Sequence, residues 1–195
     1  TLPNSVNADS WGDSSFYLAD RLNMMLSNMF MGAFLVFIVL SLFLKLKLAF
    51  WVMVGLPVCF LGTLMFMPME HIAVSINLLS LFGFILVLGI VVDDAIIMGE
   101  SAYSEMDKSG HSVDNIIRGV KKVAMPATFG VLTTIAAFSP MLMVSGTFGV
   151  IWKTIGMVVI LCLIFSLIES KLILPAHLAH MKIKPYDPKT ANFFQ

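Results

Sequence analysis

Charge is what this sequence has least of. Asp, Glu, Lys and Arg make up 12% of its 195 residues, about half of the roughly 25% carried by ordinary soluble domains. The few charges balance to a formal net charge of zero, so no basic surface points to nucleic acid. Cysteine is nearly absent too. Cys59 and Cys162 both fall inside apolar runs, where a thiol behaves as a small hydrophobe, and two such residues define neither a disulfide framework nor a metal cluster. No glycine-rich loop ending in lysine is present, which leaves no nucleotide-driven engine to assign. Nor do the opening residues read as a secretory leader. The opening twenty residues are polar, with Asn4, Asn7, Asp9, Asp13 and Asp20, whereas a leader needs a basic start and an apolar centre. Beginning at Thr1, the chain reads as an excised portion of something longer.

What remains is apolar. Hydrophobic residues make up 58% of the chain and the mean hydropathy is +0.93. A helix needs roughly 20 apolar residues to cross a hydrocarbon core of about 30 Å. Residues 22–44, 48–67, 72–98, 123–144 and 151–174 each meet that requirement, predicting an all-α integral membrane bundle of five transmembrane helices. Pro57 lies inside the second span, where neighbouring helices can cover a freed carbonyl. The uncharged part of the fifth span is short, so Lys153, Glu169 and Lys171 are expected to snorkel from its ends as boundary residues. In the polar stretch 100–122, Val113, Ile116, Ile117 and Val120 recur at helical spacing. That periodicity predicts a cytoplasmic surface helix over 112–122, lying on the membrane. Residues 1–20 form a linker segment, 21–181 the membrane domain and 182–195 a polar tail.

Lysine and arginine set the orientation. They gather after the first and third spans (Lys45, Lys47, Lys108, Arg118, Lys121, Lys122) and in the tail (Lys182, Lys184, Lys189). The opposite side holds little beyond Arg21 and Lys153. Basic residues favour the cytoplasm, so the N-terminus is expected outside and the C-terminus inside.

Asp93 and Asp94 interrupt the third span, about six residues before the polar stretch begins at Glu100. Each carboxylate at mid-membrane costs about 2.5–3.5 kcal/mol on insertion scales. Adjacent helical residues differ in direction by roughly 100°, so the two cannot share a face and at least one must turn into the bundle. Such a pair suits proton loading and release. A hydrated helix end is the plainer explanation, but Ala95, Ile96, Ile97 and Met98 continue the apolar helix past it. An intramembrane aspartyl protease needs carboxyls that face one another, and consecutive residues on one helix do not. No enzymatic activity is expected. Gly83 and Gly89 on the same helix serve close packing. His177 and His180 read as surface residues near a helix end, and Thr133 and Thr134 as hydroxyls bonded back to their own helix.

The run Gly89-Ile90-Val91-Val92-Asp93-Asp94-Ala95-Ile96 resembles the signature fourth helix of resistance-nodulation-division (RND) transporters. So do Leu48-Ala49-Phe50-Trp51, Gly55-Leu56-Pro57-Val58, Ser75-Ile76-Asn77, the stretch from Val131 to Phe138, and Leu174-Pro175-Ala176-His177-Leu178, in order and spacing. The likeness covers nearly the whole chain and is greatest to the hydrophobe/amphiphile efflux branch. It implies a twelve-helix transporter of two six-helix repeats, each interrupted after its first helix by a large periplasmic domain. The five spans then correspond to helices two to six of the first repeat. Residues 1–20 would be the return from the periplasmic domain, and the tail would lead into an interfacial helix. The resemblance further implies that Asp93 and Asp94 form the proton relay, completed by a lysine, an arginine and a threonine of the missing second half. It implies export of amphiphilic, drug-like compounds by proton antiport, powered by the proton gradient without a cofactor or metal. It also implies a homotrimer in the bacterial inner membrane, with a periplasmic adaptor and an outer-membrane channel. A relative moving lipids or metals, or assisting secretion, is the alternative.

Overall fold

A computed structural model describes residues 14–180 apart from 44 and 71. The expected tail at 182–195, and the linker as far as residue 13, lie outside the described residues. Among the described residues six α-helices follow one another: α1 (Ser14–Phe43), α2 (Leu46–Phe66), α3 (Leu78–Ser109), α4 (Val113–Phe138), α5 (Thr147–Ile168) and α6 (Leu174–Ala179). A 3-10 turn, Ser139–Met143, follows α4, and a π-helical turn, Glu169–Ile173, joins α5 to α6. No strand occurs among the described residues. The architecture is the all-α bundle that the apolar runs predict. Among the described residues four helical segments are long and apolar enough to cross a membrane: Leu46–Phe66, Leu78–Ser109, Val113–Met143 and Phe148–Ala179. Leu26–Leu42 is a shorter apolar stretch within α1.

Local chemistry sets the helix ends. Asn77 caps α3: its side chain accepts from the backbone N–H groups of Leu79 (2.9 Å) and Ser80 (3.0 Å), while the Ser80 hydroxyl accepts from the Asn77 N–H at 2.8 Å. This reciprocal box satisfies donors that a helix start otherwise leaves bare. At its far end α3 stops at Gly110, whose φ of 87° suits glycine. Asn115 then clips the connection, donating to the carbonyls of Ser109 (3.0 Å) and Gly110 (2.8 Å). Those bonds bury Asn115. Gly146, at φ 83°, makes the turn into α5.

In place of a separate surface helix over 112–122, the polar segment continues without a break into the fourth span as α4. Its apolar residues divide between two environments. Ile116 and Val120 are buried against the bundle, whereas Val113 and Ile117 are exposed. The segment lacks a helix stop: residues 113–125 contain no proline, and their one glycine, Gly119, lies inside α4.

α3 stands at the centre and packs against α4, α5 and α2, whereas α1 lies at the edge against α2 and, to a smaller extent, α3. Small residues allow the close approaches, as expected where apolar burial gives no preference for protein over lipid. A Cβ on Gly119 of α4 would fall 2.6 Å from the Ser101 carbonyl oxygen and 2.7 Å from the Ala102 Cα. The Ser101 hydroxyl donates to the Gly119 carbonyl at 2.8 Å across the same crossing. Gly83 similarly admits Val158 of α5. The core runs through Val87, Ala102, Val158, Val159, Cys162 and Leu163, and the outer surface is lined with Phe30, Phe34, Phe82, Phe129 and Phe148. An apolar exterior around an apolar interior is the pattern of a bundle solvated by lipid.

Candidate proton-transfer site

The aspartate pair sits in the middle helix, and its two members face different ways. Asp93 is exposed, while Asp94 is half-buried. Asp94 Oδ2 is buried and meets no hydrogen-bond partner. Neither residue takes part in an ion pair among the described residues. The roughly 100° between successive helical residues accounts for the split: Val91, Ala95 and Met98 face the core, and Asp94 falls on the edge of that stripe. Asp93 shares its outward face with Gly89, around which a Cβ would meet nothing within 4 Å. Gly83 therefore serves close packing as expected, whereas Gly89 faces open space in this chain.

Below Asp93 the outward face becomes polar. Ile97, one turn on, starts a groove whose lining includes Glu100, Ser101, Ser104, Lys108 and Lys122. The groove opens at the end of the bundle where charges cluster. There Glu105 pairs with Lys122 and, at 3.7 Å, with Arg118, tying α3 to α4. Lys45 pairs with Asp107 at 3.8 Å and lies over the Tyr103 ring, tying α2 to α3.

One expected boundary residue is placed elsewhere. Glu169 is 1% exposed. It does not snorkel, because the apolar helix runs on to Ala179 and the π turn holds its carboxyl toward α2. Gly55 makes the room: a Cβ there would fall 2.0 Å from Glu169 Oε1. Glu169 Oε1 and the hydroxyls of Ser166 and Ser170 are buried without partners. α3 keeps one register against α5 and α6, with Gly83 opposite Val158 of α5 and Gly99 opposite Leu174 of α6. That register places Glu169 level with Asp94. A signal for it was present in the sequence, since Cys162, Ser166, Glu169 and Ser170 recur at helical spacing on an otherwise apolar helix. Lys153 is exposed, as expected of a residue near the start of the span, and Lys171 is partly exposed beside the buried Glu169.

The remaining candidates have ordinary partners. Thr133 and Thr134 donate to the carbonyls four residues back, at 2.7 and 3.0 Å. His177 stacks on Trp51 with ring centroids 4.3 Å apart, and His180 Nδ1 lies 2.9 Å from the Ala176 carbonyl. Cys59 and Cys162 are both free and buried, and Thr63 donates to Cys162 Sγ at 3.2 Å.

A multi-helix bundle with an apolar exterior and carboxyl groups set into its central helices defines a polytopic membrane protein with ionisable groups at depth. The AcrB/AcrD/AcrF family profile matches residues 1–195. The chain belongs to that family of RND transporters and is a multi-pass protein of the bacterial inner membrane. It is 27% identical over 190 residues to the multidrug resistance protein MdtC of Pantoea ananatis, covering 97% of this chain and 18% of that protein. It is 27% identical over 177 residues to the toluene efflux pump membrane transporter TtgE of Pseudomonas putida (90% and 17%). To the swarming motility protein SwrC of Bacillus subtilis it is 26% identical over 171 residues (86% and 16%). The chain thus spans less than a fifth of the length of these curated relatives.

Proposed function

We propose that this chain is the proton-handling part of an efflux pump that exports amphiphilic or drug-like compounds by proton antiport, with Asp93 and Asp94 as the relay. The observation that carries the reading is the arrangement of the pair. Asp94 turns a buried, unpartnered oxygen into the bundle while Asp93 stands beside it on an open helix face. A carboxylate left unpaired in a low-dielectric interior is strongly disfavoured, so such a group holds a proton until a partner or water reaches it. The polar groove that begins at Ile97 offers a route between Asp93 and the charged end of the bundle. Gly89, one turn above Asp93 and unobstructed, suits close approach by a helix of the second repeat carrying the relay's cationic partners. The proton gradient supplies the energy, with no cofactor or metal. The working unit is a homotrimer joined to a periplasmic adaptor and an outer-membrane channel. The names of MdtC and TtgE favour drugs and solvents as cargo. A pump moving a non-drug compound, such as a lipid, is the second reading, since SwrC is named for swarming motility and not for a drug.

The test uses the intact transporter in proteoliposomes with an imposed proton gradient. Asp93→Asn and Asp94→Asn keep side-chain size but cannot carry a proton. Each is expected to abolish gradient-driven export while leaving membrane insertion and trimer assembly intact. Export at the normal rate by both variants refutes the relay assignment. Assays with a drug, a solvent and a lipid probe separate the two readings of the cargo.

A further inference from the structure

The relay does not use the other carboxyl buried at the same depth. Glu169 is 1% exposed, Ser166 0% and Ser170 1%. Oε1 of the first and both hydroxyls are buried with no partner. These residues project from the end of α5 and the π turn that follows it, and π turns recur at functional sites because they change the direction of side chains within a helix. Gly55 of α2 leaves the space that the carboxyl occupies. Polar groups so enclosed are normally satisfied, and three unsatisfied ones at one point mark a site rather than a packing accident.

Among the described residues no cation forms an ion pair with Glu169. From α2 the titratable group on the same helix, one turn from Gly55, is the buried Cys59 thiol. Lys45 lies just before α2 and Lys47 in its first turn, roughly two turns or more away along the axis. From α3, Asp94 stands level with it. On its own turn is Lys171, and from α6 comes His177, which is stacked on Trp51. No ion pair involves Glu169 among the described residues. Burying an ionised carboxylate without a partner is far more costly than burying the neutral acid. The packed arrangement of α2 against α5 is therefore compatible with a protonated Glu169, whose O–H adds a donor beside the Ser166 and Ser170 hydroxyls. Parting the helices admits water, and the acid can then ionise. Proton binding and α2–α5 contact are thereby linked, each favouring the other.

We infer that Glu169 is a second protonation site of the bundle, taking up a proton when α2 and α5 close around it and returning it to water when they separate. This rests on the proton-driven reading above for its role in transport, but the site itself is detectable without transport. The step is simple: a proton from water joins a carboxylate oxygen, and the same proton leaves on hydration.

Infrared difference spectroscopy on the full-length transporter in liposomes, recorded across a pH series, tests it. A protonated-carboxyl stretch that titrates is expected to survive in the Asp93→Asn/Asp94→Asn double variant and to disappear in Glu169→Gln, which keeps the side chain's shape. Gly55→Ala places a methyl where the carboxyl sits and is expected to move the pH at which the band is lost. Absence of any band that depends on Glu169, or a Glu169 band unchanged across the series, overturns the proposal. An unshifted midpoint in Gly55→Ala overturns the link to α2–α5 contact. Normal export by the aspartate variants would defeat the relay reading while leaving the Glu169 band in place, so the two failures are distinguishable.

Discussion

Gly119 offers the sharpest test of the packing. It lies where α4 crosses α3, and an added methyl would sit 2.6 Å from the Ser101 carbonyl oxygen, 2.7 Å from the Ala102 Cα and 3.0 Å from the Ala102 nitrogen. All three obstacles are backbone, so no side chain can swing away to make room. The helices must part, which weakens the 2.8 Å bond from the Ser101 hydroxyl to the Gly119 carbonyl. Overpacking of this kind costs about 1–3 kcal/mol, and the strained hydrogen bond adds up to about 1 kcal/mol. Gly130, about three turns farther along the same helix, is the control, because a Cβ there meets nothing within 4 Å. Gly130→Ala gains roughly 0.5–1 kcal/mol of helix propensity. The two Gly→Ala substitutions on one helix are thus expected to shift stability in opposite directions. Thermal unfolding of each variant in detergent micelles, followed by loss of helical circular dichroism, measures the shift. Gly119→Ala matching or exceeding wild type would show that α3 and α4 do not meet as described.

Two further outcomes follow from the arrangement of the helices. Single cysteines replacing Glu70 and Lys108 are expected to react with membrane-impermeant reagents from opposite sides of the membrane, Lys108 from the cytoplasm; reaction of both from outside would reverse the orientation. Spin labels along the start of α4 should report Val113 and Ile117 as accessible to quenchers and Ile116 and Val120 as shielded, whereas uniform accessibility would detach that segment from the bundle.

Much of this architecture is local and therefore legible in the sequence. Charge-free runs of membrane length define spans because each apolar residue contributes whatever its neighbours are. The separation of Asp93 from Asp94 follows from helix geometry alone, and so does the conclusion that one of them turns inward. The Asn77–Ser80 cap and the glycine stop at Gly110 are likewise short-range. Which aspartate turns inward was decided by tertiary structure, because only the positions of α2, α4 and α5 define the buried side of α3. The same holds for Glu169. Counted along the chain it lies at the edge of an uncharged run, and from that position alone it reads as a boundary residue. Its burial depends on Gly55, more than a hundred residues earlier, which leaves room on α2 for a carboxyl, and on a π turn that aims it there. Hydropathy sums neighbours in sequence, whereas the environment of an ionisable group is set by neighbours in space.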